Sequence, residues 1–249
     1  MTDSLAPEAP MHRTLAVLAL AVSFLIAGCS GIVGERGSGD LVTETREVAP
    51  FTGVDVSRAI EVEVTVAAGE SPAVEVVYDD NLIEGIEVSV IDGVLFIDAD
   101  RNMRPSSGAK VRVRVESLHR IATSGASEVT VTGTVAAEDV ELRASGASRI
   151  EIATLEAGSL AATVSGASNV TVDAGEVGEA DLDVSGASHV DLDADIASAL
   201  VDVSGASRAR LTRADEVSGE ASGASKVVVS SDAARVRVDT TGASSVDEE

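Results

Sequence analysis

The chain has 249 residues, 45% of them apolar, with 42 acidic against 18 basic side chains and a formal net charge of −24. That balance argues against nucleic acid or a bare anionic surface as a partner, while the many Val and Ile residues favour a folded chain over a disordered one. The core must be aliphatic, because Trp is absent and Phe24, Phe51, Tyr78 and Phe96 are the only aromatic residues.

The single cysteine, Cys29, excludes an intrachain disulfide framework. Its position matters more than its count. Met11, His12 and Arg13 form a short basic start, residues 14–26 are an apolar run, and small residues precede the cysteine in Ile26-Ala27-Gly28-Cys29. The run is too short to span a bilayer, which takes roughly 20 apolar residues, and its layout is that of a secretory signal. Those last four residues resemble the bacterial lipobox. The resemblance implies cleavage between Gly28 and Cys29, a diacylglycerol on the Cys29 thiol, and a membrane-anchored lipoprotein of the bacterial envelope facing outside the cytoplasm. Residues 1–28 are then a lipoprotein-type signal peptide. Residues 1–10 are polar, acidic and ill suited to open one, so Met11 competes with Met1 as the true start. Residues 29–40, with Gly31, Gly34, Gly37 and Gly39, predict a lipid-anchored flexible tether.

Between residues 41 and 116 apolar and polar residues alternate, as in Ile60-Glu61-Val62-Glu63-Val64 and Val111-Arg112-Val113-Arg114-Val115, which is the pattern of half-buried strands. Asp92-Gly93 between two such runs is a two-residue hairpin signal. Residues 80–84 predict one helical turn, and residues 102–108 a loop around Pro105.

Beyond Pro105 an internal repeat takes over. Gly125, Gly146, Gly166, Gly186, Gly205, Gly223 and Gly242 are spaced by 21, 20, 20, 19, 18 and 19 residues, and each is followed by Ala and Ser. Ser precedes six of them, and Thr241 the seventh. Apolar residues keep register with the glycines. Four positions after lie Val129, Ile150, Val170, Val190, Ala209, Val227 and Val246; four before lie Ile121, Leu142, Ala162, Leu182, Val201 and Val238, with Gly219 breaking the rule.

A unit of this size cannot bury its apolar side alone and must stack on copies of itself. The expected fold is all-β: a right-handed parallel β-helix, or β-solenoid, with coils of about 20 residues and a less regular N-terminal cap. Seven corners stacked at the strand spacing give a ladder of about 29 Å. Glycine supplies the positive φ of each corner. Alanine is small enough to point inward there, and stacked serine hydroxyls can bond one another or the turn backbone. The expected domain is a single unit over 41–246, irregular over 41–116 and repetitive over 117–246, followed by an acidic tail at 247–249.

The Phe51-Thr52-Gly53-Val54-Asp55-Val56 segment, the Asp80-Asn81-Leu82 stretch and the run of Ser-Gly-Ala-Ser corners together resemble the head GIN domain of auto-transporter adhesins. The resemblance covers roughly residues 38–246. It implies one β-helical domain, bacterial origin and export, and it carries over no catalytic residues.

Candidate chemistry is sparse. Asp181, Asp183, Asp191, Asp193 and Asp195 could pair for glycosidic chemistry or ligate calcium, but they alternate with apolar residues as a solvated strand face does. His189 holds a position occupied by Glu128, Arg149, Asn169, Arg208 and Lys226 in other copies, which marks it as a surface residue. No cofactor, metal or catalytic residue is expected. Arg208, Arg210, Arg213, Arg235 and Arg237 form a basic patch that could meet an envelope protein or an acidic polysaccharide, although neighbouring carboxylates could equally absorb it. The leading expectation is a non-enzymatic, surface-displayed adhesive or structural binding module. The alternatives are an envelope-sensing lipoprotein that binds a membrane protein and, less favoured, a polysaccharide-active enzyme.

Overall fold

A computed structural model of the chain describes residues 34–230, 233 and 235–248. The signal segment, Gly28, Cys29 and the choice between Met1 and Met11 lie outside the described residues. Residues from Glu35 onward form one unit. It is a β-solenoid of about 6 turns with coils of roughly 20 residues.

The irregular part contains β1 (Glu35–Arg36), β2 (Leu41–Arg46), β3 (Gly53–Val56), β4 (Glu61–Val66), β5 (Ala73–Asp79), β6 (Ile86–Ile91), β7 (Val94–Ala99), β8 (Met103–Arg104) and β9 (Lys110–Val115). The repeats contribute β10 (Arg120–Thr123), β11 (Glu128–Ala144), β12 (Arg149–Val164), β13 (Asn169–Val172), β14 (Gly175–Val184), β15 (His189–Val203), β16 (Arg208–Ala221), β17 (Lys226–Val229), β18 (Arg235–Thr240) and β19 (Ser245–Glu248).

Two parallel ladders meet at the repeated corner. The entry ladder, made of strands that run into the corner, stacks β7, β3, β10 and the second halves of β11 and β12, then β14, the second halves of β15 and β16, and β18. The exit ladder, leaving the corner, stacks β9, β4 and the first halves of β11 and β12, then β13, the first halves of β15 and β16, β17 and β19. A third segment closes each central coil, for example residues 134–137 on 154–157, after a register shift between Val131 and Thr134.

The period-2 pattern puts every second side chain inside. Val129, Ile150, Val170, Val190, Ala209 and Val227 form one inward column on the exit ladder, each at most 1% exposed. Ile121, Leu142, Ala162, Leu182, Val201, Gly219 and Val238 stack on the entry ladder in the register expected from the glycine spacing. Each large aliphatic buried this way contributes about 1.5–3 kcal/mol. Gly219 interrupts that column because its backbone lies against the coil before it. A Cβ there would stand 1.9 Å from the carbonyl oxygen of Val201.

The N-terminal end is sealed by antiparallel strands that continue both ladders. β5 pairs antiparallel with β9, and β2 with β5; β6 pairs antiparallel with β7 through the Asp92-Gly93 turn, where both residues have positive φ. The helical turn expected over 80–84 is a single 3-10 turn at Ile83–Gly85.

The tether is shorter than its glycines suggest. Residues 35–40, expected to be flexible, are tied down: β1 pairs with β8, and the Gly39 amide donates to the Asp79 carboxylate (2.9 Å). Asp79 is fully buried. It also accepts from the Ser106 amide (2.8 Å) and the Ser106 hydroxyl (2.6 Å), so one carboxylate fastens two loops to the cap. Burial works against its charge, but the hydrogen bonds from Ser106 and Gly39 outweigh it and hold the carboxyl below the usual carboxylate range.

Candidate binding faces of the solenoid

All seven predicted corner glycines, at 125, 146, 166, 186, 205, 223 and 242, have φ between +75° and +81°. They also stack. The Ala187 amide donates to the Gly166 carbonyl (2.7 Å), and the same rung-to-rung bond recurs at the other repeated corners. A Cβ on Gly166 would lie 2.4 Å from the Gly146 carbonyl oxygen, so glycine is required by contact as well as by φ.

Of the corner's other residues, the alanine is turned opposite to expectation and the serine hydroxyls bond the turn backbone as expected. The alanines face solvent, and the second serines, Ser127, Ser148, Ser168, Ser188, Ser207 and Ser225, are at most 2% exposed. The reason is a backbone donor. The Ser148, Ser168 and Ser188 amides point at the hydroxyl of the serine one coil further on, at 3.3–3.4 Å, and the Ser148 hydroxyl donates to the Ser145 carbonyl (2.8 Å). An inward alanine would leave those amides buried without a partner. This serine column is part of the fold's framework and is closed to solvent.

Function must therefore use the outward columns, and register assembles them differently on each face. On the entry ladder Asp183, Asp202, Glu220 and Asp239 stand on successive rungs. Beside them Leu200 is 53% exposed over a shallow groove of about 680 Å³ that also involves Asp181, Gly219 and Arg237. On the exit ladder, three positions after each glycine, Arg149, Asn169, His189, Arg208 and Lys226 stand on successive rungs.

The five arginines singled out from sequence do not share a face. Arg208 and Arg210 lie on the exit ladder, Arg213 on the third segment, and Arg235 and Arg237 on the entry ladder. Three are engaged by carboxylates: Arg210 with Asp191 (3.2 Å), Arg213 with Asp193 (2.5 Å) and Asp195 (2.6 Å), and Arg235 with Glu216 (2.5 Å). The aspartate cluster is divided in the same way, with Asp181 and Asp183 on the entry ladder and Asp191 on the exit ladder. Among the described residues no group of three or more His, Cys, Asp or Glu side chains is arranged to hold a metal ion. No helix among them is long and apolar enough to cross a membrane.

A family model described as "Putative auto-transporter adhesin, head GIN domain" matches residues 50–247. The chain belongs to that head GIN domain family. Solved structures share the fold. A "putative adhesin" from Bacteroides fragilis superposes with a TM-score of 0.80 at 16% identity, over 87% of this chain and 100% of the other. A second from Parabacteroides distasonis gives 0.67 at 18% identity, over 87% and 100%. A "putative lipid binding protein" from the same species gives 0.68 at 14% identity, over 86% and 98%. No curated protein matches the chain. The GIN family and these structural neighbours are thus named for adhesion or lipid binding.

Proposed function

We propose that this GIN-domain chain is a non-enzymatic binding module displayed at the bacterial envelope, held there by a lipid on Cys29, and that it acts as an adhesive or structural element. The observation that carries the reading is the division of labour within each coil. Corner and inward positions repeat, whereas outward columns differ in charge from face to face while keeping one residue per rung. Such a surface is a linear array of side chains on a stiff frame, suited to contact with an extended partner. The family name supports a surface role. The lipobox-like Ile26-Ala27-Gly28-Cys29 supports the anchor.

Two measurements test the two halves of the proposal. Cys29→Ser should release the protein from the membrane fraction; unchanged membrane retention would remove the anchor. Deleting the gene should reduce cell attachment while envelope-stress signalling stays intact. The opposite pattern would replace adhesion with envelope sensing through a membrane protein.

A further inference from the structure

We propose that the exit-ladder column Arg149, Asn169, His189, Arg208 and Lys226 is a binding strip for a linear acidic polysaccharide that carries a carboxylate on every sugar. This rests on the binding-module reading above and names the ligand class.

The column is created by register alone. Arg149 neighbours Asn169, Asn169 neighbours His189, His189 neighbours Arg208, and Arg208 neighbours Lys226 in parallel pairing. Five rungs separated by four intervals of the strand spacing make a strip of about 19 Å. Every residue in it carries a hydrogen-bond donor, and none carries a negative charge. In a chain with a net charge of −24 this is a local reversal of sign. The column becomes acidic only toward the cap, at Glu128 and Glu61.

Screening makes the local sign decisive, because charges beyond about 8 Å are largely screened at physiological salt. Carboxylates do stand nearby. Glu151 meets Arg149 at 3.4 Å and Asp247 meets Lys226 at 2.5 Å, while Asp191, two positions beyond His189 on the same face, is held by Arg210 at 3.2 Å. Such exposed pairs are weak and exchange readily for an incoming carboxylate. Arg208 has no carboxylate partner among the described residues, and it sits beside Arg210 two positions along the same strand.

The ligand class follows from shape as well as charge. On its corner side the strip is flanked by the exposed Gly and Ala of each coil, a smooth shelf on which a sugar chain can lie. Ser145, Ser165, Ser185, Ser204 and Ser222, which precede the glycines of these coils, are exposed or half-buried on the shelf's far side. No Phe, Tyr or Trp occurs after Phe96, so the strip lacks the large aromatic platforms on which single-stranded nucleic acid is usually stacked. Arginine forks match planar carboxylates, and one donor per rung matches one acid group per repeating sugar.

The test measures binding of the full-length protein in detergent to polygalacturonate oligomers, with a neutral glucan of equal length, single-stranded DNA and anionic phospholipid vesicles as comparators. The proposal expects selective polygalacturonate binding that weakens as salt rises, and loss on the order of tenfold in the triple variant Arg149→Gln/Arg208→Gln/Lys226→Gln. Arg213→Gln, on the third segment, should leave binding unchanged. Absence of wild-type binding, equal binding by a triple variant with an unaltered melting curve, or tighter binding to DNA or vesicles would each overturn it. If polygalacturonate binding is as expected while gene deletion leaves attachment unaltered, the adhesive role fails and the strip stands; the reverse result removes the strip alone.

Discussion

Two adjacent corners of the solenoid, Ser57-Arg58-Ala59-Ile60 and Ser124-Gly125-Ala126-Ser127, join the same two ladders with different residues and different turns: the strands on either side pair in register, but Ala59 has positive φ and Ala126 does not. In the earlier corner Arg58 and Ala59 take φ of 60° and 62° without a glycine, and Ile60 is buried where later coils bury serine. The coil beneath it has no tight turn, because β8 and a loop lie between β7 and β9. Arg58 accordingly keeps a half-exposed side chain that reaches Asp98 (2.9 Å). In the repeats each corner rests on another corner, and the Cβ position of one glycine is filled by the carbonyl of the last. Stacking adds a contact requirement for glycine to the dihedral one.

That comparison is broken most severely by Gly166→Val, where a β-branched side chain must adopt φ of +79° and displace a backbone oxygen. A loss of about 3 kcal/mol or more is expected. Gly125→Ala should cost nearer to about 1–2 kcal/mol, the ordinary left-handed penalty, because the nearest atom to its Cβ is the Arg58 nitrogen at 3.2 Å. Urea unfolding followed by circular dichroism measures both. Equal losses would mean that stacking adds nothing to the φ requirement.

The cap depends on a single charge where the repeats depend on many similar rungs. Asp79→Asn exchanges an acceptor of three hydrogen bonds for a group that must turn a donor toward Ser106 or Gly39, at an expected cost of about 2–3 kcal/mol at neutral pH. The pH dependence has a definite sign. The folded-state pKa is depressed, so the carboxylate's contribution is complete above the unfolded value of about 3.9 and is lost as pH falls through the folded value. The gap between wild type and Asp79→Asn should therefore close below about pH 4. A gap that stays constant in acid would show that Asp79 does not act through its charge.

The repeat was legible in the sequence because each coil restates it: glycine spacing located the corners, and alternation located the inward columns. Apart from the Asp92-Gly93 hairpin and the single turn near residues 80–84, the cap was legible only as strands. Alternating apolar residues in β4, β5 and β9 do not encode whether neighbours run parallel or antiparallel, and Ser57-Arg58-Ala59-Ile60 conceals a corner by lacking its glycine. Asp79 gave no local sign of its role, since Gly39 and Ser106 are 40 and 27 residues away. Size alone suggested an inward alanine, whereas the unpaired serine amides demanded a hydroxyl. The cationic strip was present in sequence as the third position after each glycine, yet residue by residue it read as ordinary surface. Register turns it into a row.

Among the buried serines the expected losses are smaller. Ser168→Ala removes the hydroxyl facing the Ser148 amide across 3.4 Å, a long contact, and should cost about 1 kcal/mol. The same logic reverses sign at Thr123, the smallest effect. Thr123 is 3% exposed, and its hydroxyl oxygen has no partner. On the next three rungs the equivalent inward position holds Ala144, Val164 and Val184, all apolar. Thr123→Val keeps the branched shape that β10 accommodates and replaces an unsatisfied hydroxyl with a methyl group. A gain of up to about 1 kcal/mol is expected, seen as a higher urea midpoint with unchanged slope. A loss at Thr123 would mean that its hydroxyl bonds a buried water, which would make the junction between cap and repeats a hydrated layer rather than a dry one.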